Sequence, residues 1–96
     1  MDEDTRIVLV PAIPAGMALD VVFRSPRGLA VQVTEAEAAE LRRRGVPVAE
    51  LYPSGNEYAA AVAGLSRDEA VAALESAQGT ALAALDPGDR DRFGVA

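Results

Sequence analysis

The hydrophobic pattern of the first half of the chain is typical of β-strands. Residues 6–13 read Arg-Ile-Val-Leu-Val-Pro-Ala-Ile, a continuous and mostly β-branched run. Because this run does not alternate, it predicts a strand buried on both faces, covered by helices of the same domain or by another chain. Pro11 cannot donate to a sheet ladder, which predicts that the second half of the strand lies at an edge or a bulge.

Two alternating segments follow, at residues 18–24 and 29–33, and together they predict a β-hairpin. The side chains expected to face inward are Leu19, Val21, Phe23, Leu29, Val31 and Val33, and those expected to face outward on the second strand are Ala30 and Gln32. Between the strands, Ser25-Pro-Arg-Gly28 has proline at its second position and glycine at its fourth. This order is typical of a type I turn closed by a glycine with positive φ.

Polar residues mark four helix starts. Thr34 and Glu37 have the spacing of a capping box, which recurs at residues 54–57 and 66–69. Asp86 has the same relation to Asp89, with proline at the first helical position. The predicted helices span residues 35–44, 55–63, 67–85 and 87–93, the last ending at Gly94.

The remaining elements complete a predicted α+β domain. Residues 46–52 predict a short strand, and Pro47 places that strand at a sheet edge. The apolar period of residues 67–85 continues through Gly79, which favours one long helix; a break at this glycine is the alternative. We therefore predict one domain over residues 1–96, with a small sheet of three to four mainly antiparallel strands followed by three to four helices.

Composition narrows the chemistry that the chain can perform. It contains neither histidine nor cysteine, and all nine of its basic residues are arginine. The commonest general base, the thiolate nucleophile, the Schiff-base lysine and the commonest transition-metal ligands are therefore missing. We predict no catalytic residues, no cofactor, no metal site and no small-molecule substrate, and expect that the chain is not an enzyme.

Two charged clusters could in principle bind a ligand. Asp86, Asp89 and Asp91 could hold a hard cation, but their spacing does not fit a calcium loop and Asp86 is explained as a helix start. A basic surface for phosphate or an acidic partner could form from Arg24, Arg27, Arg42, Arg43 and Arg44. Against it stand the pairing of Glu40 with the helical arginines, the lack of stacking aromatics and a net charge of −6. The sequence predicts neither metal nor nucleic-acid binding.

The core is expected to be thin, because aromatic residues make up only 4% of the chain and much of its apolar content is alanine. We therefore expect a protein partner or self-assembly to supply further burial. The candidate partner-binding residues are Ile7, Val8, Leu9, Val10, Tyr52 and Tyr58. For the two tyrosines, packing at the junction of two layers is the favoured alternative. The acidic start of the chain and the lack of a long apolar run predict no membrane segment and a cytoplasmic location.

Residues 31–46 combine a strand, a capped helix and a terminal glycine. This segment resembles one in small accessory proteins of tailed-phage head and tail gene clusters. The resemblance implies a virion component that packs against capsid, portal or tail subunits, and it assigns no functional residues. The order of elements is also similar to that of winged-helix peptide-recognition elements, which take a leader peptide as an added strand. We expect a non-enzymatic interaction or structural subunit, with a peptide-binding or adaptor module as the alternative.

Overall fold

The computed structural model of the chain describes residues 5–93, which form four strands and four helices. The strands are β1 (Thr5–Val10), β2 (Asp20–Ser25), β3 (Gly28–Thr34) and β4 (Ala49–Tyr52). The helices are α1 (Glu35–Arg43), α2 (Gly55–Val62), α3 (Arg67–Ala83) and α4 (Pro87–Asp91). The predicted α+β class is confirmed, although α1 comes before the last strand.

The four strands form one antiparallel sheet in the order β2-β3-β1-β4. The predicted hairpin is present as β2 and β3, with Ser25 opposite Gly28 at its turn. The prediction for Pro11 was wrong: β1 ends at Val10 and is a central strand, so the proline lies beyond the ladder. β4 is an edge strand as predicted, but it begins at Ala49, two residues after Pro47.

Both faces of β1 are covered by helices of the same chain. On the side of α1, which we call the α1 face, the buried cluster consists of Val8, Val10, Val31, Val33, Ala38 and Leu41. On the opposite side, which we call the helical face, it consists of Leu9, Ala49, Ala81, Leu82 and Phe93. Because successive side chains of a strand point to opposite faces, the unbroken apolar run of β1 contributes to both clusters. The prediction of a strand buried on both faces is confirmed.

A register shift in the hairpin changes which β2 side chains face the helices. Val21 lies opposite Val31, but Phe23 lies opposite Ala30, so one extra residue is inserted between them. The Phe23 side chain therefore points to the helical face, and the prediction that it shares a face with Val21 was wrong. Ala30 is fully buried rather than outward-facing, because helices cover this side of the sheet as well.

All four helices begin at the predicted cap residues, and a complete capping box forms at two of them. The capping box is complete at α1, where Thr34 and Glu37 exchange hydrogen bonds, and at α3, where Ser66 and Glu69 do the same. At α2, the Ser54 hydroxyl accepts from the Glu57 N–H, but the Ser54 N–H does not donate to the Glu57 carboxylate, and the Asp86 side chain makes no cap bond to α4. α3 continues through Gly79 as a single helix. The predicted stop at Gly94 lies outside the described residues.

Candidate protein-binding groove

The four β1 residues predicted to contact a partner are core residues. Ile7, Val8, Leu9 and Val10 all have a relative exposure of 0% in the single chain. Of the two possible covers for this strand, the chain's own helices are the one observed, with α1 on one face and α3, together with Phe93 after α4, on the other. The prediction that these residues contact a partner is therefore corrected, because none of their surface is exposed.

The two candidate tyrosines contact each other at the junction of β4 and α2. The ring centroids of Tyr52 and Tyr58 are 5.6 Å apart, and the ring planes are tilted by 60°. This arrangement is favourable for the quadrupoles of two aromatic rings. Both residues are half-buried, so the pair packs two layers together while part of each ring stays accessible. Contact of either tyrosine with a partner stays a prediction.

A groove of about 500 Å³ opens between β2 and the first two turns of α3. Its lining residues are Val21, Val22, Phe23, Arg24, Tyr58, Arg67, Ala70, Val71 and Leu74. α3 is joined to the end of β2 further along, where the Gln78 Oε1 accepts a hydrogen bond of 2.9 Å from the Ser25 hydroxyl. The groove is therefore bounded by a strand, a helix and a polar contact that holds the two together.

The groove runs beside an unpaired sheet edge. β2 is the outermost strand on its side of the sheet, and no other described strand pairs with its outer edge. The outward N–H and C=O groups of such a strand can pair with an extended segment of another polypeptide. An edge for backbone pairing and a groove for side chains thus lie next to each other.

The charges that line the groove are both positive. Arg24 and Arg67 are exposed, and neither forms a salt bridge with a described residue. The remaining lining residues are apolar apart from the Tyr58 hydroxyl. The chain as a whole has a net charge of −6, whereas the charged side chains among the described residues of the groove lining are both positive.

Two of the three arginines at the end of α1, Arg43 and Arg44, already pair with a carboxylate of the same helix. Arg43 and Arg44 bind the Glu40 carboxylate at 2.5 and 2.7 Å, and these hydrogen bonds lower the pKa of Glu40 to about 2. Arg44 also donates to the Ala15 carbonyl at 2.9 Å. α1 packs on one face of the sheet, whereas Arg27 lies against α3 at Gly79 on the other. The hairpin and helical arginines considered together in the sequence therefore do not form one basic surface.

A second hollow, of about 340 Å³, lies between the loop at residues 11–14 and the loop at residues 44–47. Its two arginines serve the fold, because Arg44 donates to the Ala15 carbonyl and Arg92 donates to the Gly45 carbonyl. Each bond ties one segment of the chain to another. The arginines of this hollow therefore have fewer N–H donors left for a partner than the arginines of the groove beside β2.

The acidic cluster near the end of the chain is spread along α4. Asp86 is the N-cap residue, and Asp89 lies 3.9 Å from the Arg92 guanidinium. Among residues 5–93, no three acidic, histidine or cysteine side chains converge closely enough to hold a metal ion. Within the same residues, no helix combines the length and apolarity that a membrane crossing requires.

Two features of the site were missed from the sequence. Gln78 is fully buried, which its position four residues from both Leu74 and Leu82 on the apolar side of α3 could have indicated. Val22 is an apolar residue on the strand face that Asp20 and Arg24 mark as polar, which was a signal of a further contact surface.

Comparisons with protein families, curated proteins and solved structures found no match to the chain.

Proposed function

We propose that the chain is a non-enzymatic protein-interaction module that takes an extended segment of a partner protein as an added strand at β2. The observation that carries this proposal is the outer edge of β2, with which no described strand pairs, beside a groove lined mainly by apolar side chains. In this mode of recognition, backbone hydrogen bonds provide affinity and side-chain pockets provide specificity. The proposal favours the peptide-binding alternative over a partner surface on β1.

The proposal does not depend on a winged-helix arrangement. Residues between Pro47 and Pro53 form β4, whereas the winged-helix order of elements would place a second helix there. Residues 31–46, which resemble a segment of phage accessory proteins, contribute part of β3 and all of α1, and none of the groove lining. In a phage particle, as that resemblance implies, the added segment would belong to a neighbouring head or tail protein.

A pair of tryptophan substitutions on α3 tests the proposal. Ala70 lines the groove, whereas Ala72 is exposed on the same helix and does not line it. Ala70→Trp should fill the groove, and Ala72→Trp is the matched control. The probe is a display library of random peptides of about twelve residues, long enough to cover a strand of ordinary length. Selected peptides should bind the wild type and the Ala72 variant and lose binding to the Ala70 variant.

The location of binding is measured independently by NMR on the unmodified chain. A selected peptide should slow amide hydrogen exchange at residues 20–25 and shift signals of the groove lining. Peptides that bind the Ala70 variant as well as the wild type, or that leave β2 unprotected, would contradict the proposal, as would a library that yields no binder. Light scattering of the chain alone addresses self-association. An oligomer that Ala70→Trp dissociates would show that the added strand comes from a second copy and not from a partner protein.

A further inference from the structure

We infer that the segment bound at β2 combines apolar residues with acidic ones, placed to meet Arg24 and Arg67. This inference rests on the proposed function and adds the chemistry of the partner. Among the described residues, the two arginines are the only charged ones in the groove lining, and no described carboxylate pairs with either of them. An apolar segment with flanking carboxylates matches this lining in both polarity and charge.

The geometry of strand addition explains why the two residue types should alternate. Side chains of an added strand point alternately to the helical face and to the α1 face. Those on the helical face enter the groove beside Phe23, Val71 and Leu74, where apolar groups lose their contact with water. Arg24 lies opposite Leu29, on the α1 face, to which the side chains that alternate with the apolar ones also point. Arg67 is the first residue of α3 and lines the groove itself, so its planar fork of donors can bind a carboxylate at one end of the added segment.

The acidic residues next to Arg67 in sequence lie outside the groove lining. Asp68 and Glu69 follow it in the first turn of α3, but neither lines the groove. The Glu69 carboxylate accepts a hydrogen bond of 2.9 Å from the Ser66 backbone N–H, and this capping bond lowers the pKa of Glu69. This carboxylate is therefore directed to the helix cap.

Because of the net charge of the chain, a preference for an acidic peptide cannot arise from nonspecific attraction. With a net charge of −6, the protein as a whole repels an acidic peptide and attracts a basic one. Preference for an acidic peptide therefore requires a local site that overcomes the overall field. Nonspecific electrostatic attraction would produce the opposite preference.

Two synthetic peptides of about twelve residues test this inference. One alternates valine with glutamate and the other alternates valine with lysine, and both carry blocked ends and the same fluorophore. Fluorescence anisotropy gives their Kd for the wild type and for Arg24→Glu, Arg67→Glu and Arg42→Glu. Arg42 is the control, because it is exposed on α1, lacks a salt bridge to a described residue and does not line the groove.

The wild type should bind the glutamate peptide about tenfold more tightly than the lysine peptide. Reversing the charge of Arg24 or Arg67 should weaken binding of the glutamate peptide about fivefold and strengthen binding of the lysine peptide. Arg42→Glu should change either Kd by no more than about twofold.

Equal or tighter binding of the lysine peptide overturns the inference about charge. The inference is also overturned if neither synthetic peptide binds and the library-selected peptides show no excess of acidic residues. In that case the selected peptides still support strand addition at β2. An acidic excess among selected peptides that Arg67→Glu removes supports the inference. A library that yields no binder contradicts the proposed function itself.

Discussion

Gly28→Ala should destabilise the chain more than any ordinary surface substitution. Gly28 closes the β2–β3 turn with φ at 150°, a conformation that residues with a Cβ rarely adopt. A Cβ at this position would also lie 2.6 Å from the Val10 carbonyl oxygen and 3.3 Å from the Leu9 Cδ1. The glycine is therefore required both by its backbone conformation and by the close approach of the central strand.

The expected cost has two parts. The unfavourable backbone conformation contributes about 1–2 kcal/mol. Overlap with a backbone atom of β1 contributes about 1–3 kcal/mol, because a strand paired on both sides cannot move away freely. The lower entropy of the unfolded alanine variant returns about 0.4–1 kcal/mol. We expect the free energy of unfolding to fall by about 3 kcal/mol, which lowers the Tm by about 12–24 °C in a domain of this size.

Gly16→Ala is the matched control, measured by urea and thermal unfolding followed by circular dichroism. Gly16 also has a positive φ, of 88°, but a Cβ there would meet no atom within 4 Å. Its substitution should cost about 1 kcal/mol from backbone conformation alone. Equal destabilisation by the two substitutions would refute the role of the Val10 carbonyl. An unchanged Tm for Gly28→Ala would refute the conformation of the turn.

Two further predictions concern polar groups. Ser25→Ala should cost about 1–3 kcal/mol, because it leaves the fully buried Gln78 amide without its hydroxyl donor. Adding Gln78→Met should recover most of this loss in a double-mutant cycle, since the Gln78 Nε2 has no described partner to lose. Hydrogen bonds from Arg43 and Arg44 lower the pKa of Glu40 from 4.5 to about 2, so the stability they contribute is present above pH 4.5 and lost as pH falls toward 2. Unfolding measured across this range should show a smaller loss for Glu40→Gln than for the wild type, and identical pH profiles would contradict the pairing.

The sequence predicted the core of the fold because its signals are local. An unbroken β-branched run indicates a strand buried on both faces, as β1 is. A threonine or serine followed three residues later by glutamate indicates a capped helix, as at α1 and α3. Neither signal says what covers the strand, because that depends on where distant helices pack. The choice between helices of the same chain and a partner could therefore be settled only by the structure.

The groove depends on features that the sequence does not carry locally. One inserted residue between Val21 and Phe23 changes the face to which Phe23 points, and the alternation of apolar residues alone gives no sign of it. Arg24 and Arg67 are distant in sequence, and the packing of α3 across β2 brings both to one groove. Before that packing is known, nothing in the sequence indicates that an arginine in a strand and an arginine in a first helical turn belong to the same site.

The two edges of the sheet differ in how well each could receive an added strand. β4 spans four residues between two prolines, and its Glu50 forms a salt bridge with Arg6 at 3.4 Å. β2 spans six residues and contains no proline, but it carries a bulge and exposed charges at Asp20 and Arg24. Charges and bulges on an edge strand are known to oppose indiscriminate pairing. On β2 these features would restrict pairing to segments whose register fits the bulge and whose charges complement Arg24. The same devices that protect the edge from aggregation would therefore make the proposed binding selective.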